Sequence, residues 1–146
     1  MPTIGWREWL SLPELGVPGL KAKIDTGARS SALHAFDVEQ IERQGIVRVR
    51  FKIHPLQRST TEVITAEADL VDQRTVRSSV GHEQLRPVIH TLVELGEWRW
   101  SIELTLTNRD VMGFRMLLGR QAMRQRFLVD PGRSFLHSPH AGPMPK

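Results

Sequence analysis

The chain contains no cysteine, which excludes disulfide staples, thiolate nucleophiles and cysteine-ligated metal centres together. Lysine is nearly as scarce, with four against sixteen arginines. No apolar run approaches the length of a bilayer span. The opening Met1-Pro2-Thr3-Ile4-Gly5-Trp6-Arg7 lacks the basic and apolar regions of a secretory signal, so the expected location is the cytoplasm. There is no His-Glu-x-x-His, and the histidines at 34, 54, 82, 90, 137 and 140 are scattered, with His137-Ser138-Pro139-His140 as the one close pair. No glycine-rich turn ends in Lys-Ser or Lys-Thr, so a nucleotide phosphate loop is missing too. The expectation is a protein without a metal or any other cofactor.

What is present fits one domain over residues 1–136, with a Pro- and Gly-bearing tail, 137–146, read as disordered. The net charge is +4 and the pI about 10.3. A basic surface made of arginine favours bidentate partners, either an acidic peptide or a nucleic acid. Because the arginines are spread along the chain, the plainer reading for most of them is a solvated face with a few ion pairs.

The dominant period is two. Ile46 to Ile53 alternates apolar and basic residues, and Glu62 to Val71 reads as a second strand. Val88 to Leu95 and Trp98 to Leu106 flank Gly96-Glu97 as a hairpin. Shorter strands are expected at Ile4 to Leu12, Lys21 to Thr26, Met116 to Leu118 and Phe127 to Val129, with one short helix from Arg120 to Arg126. The fold class is all-β with one short helix: a mostly antiparallel, single-domain barrel.

Two strings carry the chemistry. Lys23-Ile24-Asp25-Thr26-Gly27-Ala28 reads as a strand entering a tight turn, and Met116-Leu117-Leu118-Gly119-Arg120 is a short apolar run ending in Gly-Arg. Together they resemble the two halves of a retropepsin-type aspartic protease site. The resemblance extends through Arg77-Ser78-Ser79-Val80-Gly81, Arg86-Pro87-Val88-Ile89, Ile102 to Arg109 and Met116 to Arg120, and is to the small bacterial retropepsin-like proteases associated with the RimK glutamate ligase. These are often labelled ATP-dependent zinc proteases, although their catalytic motif is of retropepsin type.

This resemblance implies a retropepsin-like barrel with Asp25, Thr26 and Gly27 as the catalytic turn. Leu118, Gly119 and Arg120 would support it from beneath. Only one Asp-Thr-Gly occurs and no internal repeat is visible, whereas the chemistry needs two carboxylates sharing a proton; the implied state is a homodimer placing one Asp25 from each subunit at the two-fold axis. Thr26 would bond across that axis. The implied partners are the ligase, to which any ATP dependence would belong, and an oligo-glutamate tail on a ribosomal protein.

Substrate contacts are expected from Ala28, Arg29 and Ser30, and from a flap. Its tip is expected near Ser78, Ser79 and Gly81, with Arg77 and Arg86 flanking it, while the loop 54–61 is a second candidate. Arg29 stands where the viral enzymes carry an acid, and it either meets an acidic substrate or pairs with a partner-subunit carboxylate. Arg120 is read as a structural tie to the turn, with substrate contact as the other reading. The rival from another class is a non-catalytic binding module that regulates the ligase or docks on ribosomal RNA, presenting Trp98, Arg99 and Trp100; alternation argues instead that Trp98 and Trp100 share one packed face.

Pepsin-like sites often carry a hydroxyl residue at the position of Ala28, which lowers the carboxylate pKa. Without that donor the dyad is expected to be less acidic than pepsin's. A pH–rate profile should then peak above about pH 4, the ordinary Asp range; a more acidic optimum would contradict this.

Overall fold

The computed structural model describes residues 1–56, 61–77, 81–108 and 113–137, with only the backbone described for Val76 and Arg77. Eleven strands are formed among the described residues. They are β1 (Thr3–Gly5), β2 (Arg7–Leu12), β3 (Val17–Asp25), β4 (Ala32–His34), β5 (Phe36–Arg43), β6 (Ile46–Ile53), β7 (Ile64–Arg77), β8 (Glu83–Leu95), β9 (Trp98–Thr107), β10 (Met116–Gly119) and β11 (Leu128–Asp130), with one helix, α1 (Arg120–Met123).

Six strands in the order β2-β3-β10-β4-β9-β8 make a closed barrel. Closure comes where Ser11 of β2 pairs with Glu94 of β8, and the Ser11 hydroxyl donates to Glu94 Oε1 at 2.9 Å. The other half of β8 pairs with β7, from which β6 and β5 continue as an outward extension. Leu12, Leu20, Leu33, Leu104, Met116 and Leu118 lose all contact with water inside the barrel, each contributing on the order of 2 kcal/mol.

Most pairs are antiparallel, as expected, but β3–β10, β4–β9 and β1–β11 are parallel. The β8–β9 hairpin turns at Gly96-Glu97, and its first turn residue takes a φ of 58° that glycine adopts without strain. The β5–β6 turn was not foreseen: Gln44 and Gly45 both have positive φ, the pattern of a tight I′ hairpin. The helix is shorter than the expected span to Arg126. After Met123 the backbone leaves the helical region and Gln125 reaches a φ of 62°, which turns Phe127 inward to pack on Trp98 and Trp100.

Charge on the extension is neutralised internally. Arg43 and Arg48 both reach Glu67, Arg50 reaches Glu39 and Lys52 reaches Asp37. The Arg43 hydrogen bond holds the Glu67 carboxyl down to about 2, with Arg48 adding a smaller pull. These are the solvated ion pairs foreseen for most arginines, and salt will screen them.

Glu8, which is fully buried, ties the first strand to residues 136 and 137. Its Oε2 accepts the Gly5 and Leu136 amides at 2.8 and 2.9 Å, and its Oε1 the His137 amide at 3.4 Å. His137 packs edge-on against Trp98, so this first residue of the expected tail is held; residues 138–146 lie outside the described residues. Glu8→Ala should strand buried amides and lower stability by about 2–4 kcal/mol. In urea unfolding the midpoint should fall at constant slope; an unchanged midpoint would remove Glu8 from this role.

Candidate active site

Strand β10 runs between β3 and β4, the two strands joined by the Asp25 turn. Leu118 pairs with Ile24 and Gly119 with Asp25 in parallel register, while Met116 and Leu117 oppose Leu33 and Ala32. The two strings, far apart in sequence, thus become one hydrogen-bonded unit.

The turn is clamped from below by backbone. The Arg120 amide donates to the Ala28 carbonyl at 2.8 Å and the Gln121 amide to the Arg29 carbonyl at 3.1 Å. The Gly119 amide donates to the hydroxyl of buried Ser31 at 3.0 Å. The Arg120 guanidinium adds a bond to the Gly27 carbonyl at 3.2 Å, so its side chain ties the turn to α1. Glycine at 119 follows from approach rather than from φ: a Cβ there would lie 2.4 Å from the Ser30 oxygen and 2.6 Å from its carbonyl carbon.

Asp25 ends β3 half-buried. Its Oδ1 accepts the Gly27 amide at 2.9 Å and its backbone carbonyl accepts the Ala28 amide at 3.2 Å. Among the described residues Oδ2 has no hydrogen-bond partner. One carboxylate oxygen is held by the turn and the other is available to a reactant. Thr26 and Gly27 are exposed beside it and Ala28 is half-buried.

Arg29 and Ser30 lead into a cleft of about 710 Å³ whose walls also include Ser31, Thr105, Gln121 and Arg126. Arg74, His90 and Glu103 line it as well. Arg74, 2.6 Å from Glu103, holds that carboxyl below its ordinary range against the opposing effect of burial, and His90 assists from 3.6 Å.

The structure therefore joins Asp25 through Ser30 with Leu118 through Arg120. Arg86 stands apart from the cleft: it is the cross-strand neighbour of Arg74 and bonds Gln84. Gly81 has a φ of 88° at the end of the β7–β8 hairpin. Ser78, Ser79, the Arg77 side chain and residues 57–60 of the second flap candidate lie outside the described residues. Ser31, Gln121 and Arg126 were missed by sequence reading. Ser31 could have been suspected as the next hydroxyl after Ser30, whereas nothing in the sequence brings Gln121 or Arg126 to the turn.

Gly119→Ala should force β10 away from Ser30 and misplace Asp25, with a loss of about 2 kcal/mol or more in stability. Any Asp25-dependent activity should fall with it. A variant that keeps wild-type melting and activity would refute the close-approach argument.

Comparison with known proteins finds relatives by sequence and a solved structure of similar fold. Chains of Shewanella pealeana and Desulfotalea psychrophila, each named a probable alpha-L-glutamate ligase, are 48% identical over 132 residues and 45% over 128, covering 90% and 88% of this chain. The chain spans only 29% and 28% of those relatives' lengths. A crystal structure from Legionella pneumophila, described as a protein of unknown function (DUF785), superposes with a TM-score of 0.77 at 31% identity, covering 93% of this chain and 98% of that one. The model of the RimB-like family, described as retropepsin-like aspartic endopeptidase RimB, matches residues 3–140, and with the retropepsin-like barrel and the clamped Asp25 turn already in place the chain belongs to that family.

Proposed function

We propose that this protein is an aspartic endopeptidase that acts as a homodimer on glutamate-rich chains. The observation that carries the reading is the Asp25 carboxylate, oriented through one oxygen by the Gly27 amide on a turn clamped by Gly119 and Arg120.

A single carboxylate cannot be both acid and base in one step. Two copies related by a two-fold axis supply the pair, and like charges so close retain one proton between them. The ionised Asp25 takes a proton from water as its oxygen attacks the peptide carbonyl carbon, and the protonated Asp25 donates to the carbonyl oxygen. Collapse of the gem-diol breaks the C–N bond, the nitrogen leaving with a proton from the dyad. Exposed Thr26 and Gly27 are the residues such an axis would cover, and Thr26 is the candidate for the bond across it.

The acidic substrate is supported by Arg29 at the cleft and by the relatives' names. A similar sequence forms part of chains named as probable glutamate ligases, and a hydrolase joined to such an enzyme meets the glutamyl chains it makes. The ligase is thus the proposed partner, and a glutamylated ribosomal-protein tail the proposed target. The binding-module alternative needs Trp98 and Trp100 at the surface, yet Trp100 is buried and Trp98 packs on Phe127 and His137.

The test is mass spectrometry of a poly-glutamylated protein tail incubated with wild type or Asp25→Asn, without added metal and with a chelator. Chelator-resistant release of glutamate oligomers that falls by about a thousandfold or more in the variant is the expected outcome. Cleavage that survives the substitution removes Asp25 from the mechanism, and no cleavage by wild type overturns the protease reading.

A further inference from the structure

Resting on that acidic-chain reading, we infer that the cleft beside the Asp25 turn is a carboxylate subsite, with Arg126 as its anchoring donor and Arg29 as the second cation. Elsewhere the described arginines near carboxylates are already committed: Arg43 to Glu67, Arg48 to Asp69, Arg50 to Glu39, Arg74 to Glu103 and Arg99 to Glu94. Arg29 and Arg126 both line the cleft, and neither has a carboxylate within ion-pair distance among the described residues.

Arg126 is also held in place before any ligand arrives. The left-handed turn at Gln125 swings it back over the Trp100 ring, 5.5 Å from the centroid, and its amide donates to the Met123 carbonyl at 2.9 Å. Trp100 is itself fixed by its indole N–H, which donates to the Ala122 carbonyl at 3.0 Å, and by Phe127 at 5.3 Å between rings. A guanidinium over an aromatic face still has N–H donors to offer, and these fit both oxygens of a carboxylate.

The ligand class follows from the remaining walls. Ser30, Thr105 and Gln121 are neutral groups suited to the amides of a peptide chain, which inorganic phosphate lacks. Because Arg29 directly follows the Asp25 turn in this cleft, the bound acid would be a side chain of the same substrate chain, a few residues from the bond being cut.

The experiment is fluorescence anisotropy of labelled hexaglutamate on full-length Asp25→Asn protein, which separates binding from cleavage. Arg126→Gln should weaken binding about tenfold, as expected for loss of one charge-assisted contact, and Arg126→Lys by less. Arg124→Gln removes the same charge from the same exposed turn outside the cleft, and should change binding less than about twofold on the same scale. Equal weakening by Arg124→Gln and Arg126→Gln, or none by Arg126→Gln at wild-type melting temperature, overturns the subsite. So does an Arg126-dependent site that holds inorganic phosphate and not hexaglutamate. Arg126-dependent hexaglutamate binding without cleavage by wild type would uphold the subsite while sinking the protease.

Discussion

Backbone meets backbone where Gly119 passes beneath Ser30, and the rest of the site hangs from that contact. No side chain fits between the two segments. Register on both sides of β10 then sets where the turn carbonyls lie, and these accept from Arg120 and Gln121. The Gly119 amide reaches the Ser31 hydroxyl across 88 residues of sequence. Such pairing joins segments far apart in sequence, so the turn is braced by long-range contacts, while the Gly27 amide that orients the carboxylate is local. A reactive group on strand ends packed from both sides is held more precisely than one on a free loop.

The arginines divide into two populations. On the β5–β7 extension they alternate with Glu and Asp across strands, so that surface approaches neutrality pair by pair. Beside the Asp25 turn the balance is broken: Arg29 and Arg126 line the cleft with no carboxylate at ion-pair distance among the described residues. The overall positive charge therefore says little about binding, while its local imbalance says a good deal.

How much was legible depended on whether the physics was local. The β6 and β8–β9 strands follow from alternation and a glycine turn, and the strings around Asp25 and Gly119 stand out by residue type. The β5–β6 hairpin was missed because its turn places Gln44, a residue without special preference for positive φ, where Asn or Gly usually marks the site. Strand β4 is three residues long and too short to show a period. Parallel pairing of β3 with β10 leaves no local trace, since it joins segments separated by most of the chain. Arg126 reaches the cleft only because the helix stops early, which a helix-compatible sequence through residue 126 conceals.

The buried Glu8 carboxylate gathers the amides of Gly5 and Leu136, and β1 lies parallel to β11. The first and last described strands therefore meet at one corner. A carboxylate placed this way couples two segments far apart in sequence: one side chain holds Gly5 and Leu136 together, so its loss would free both at once.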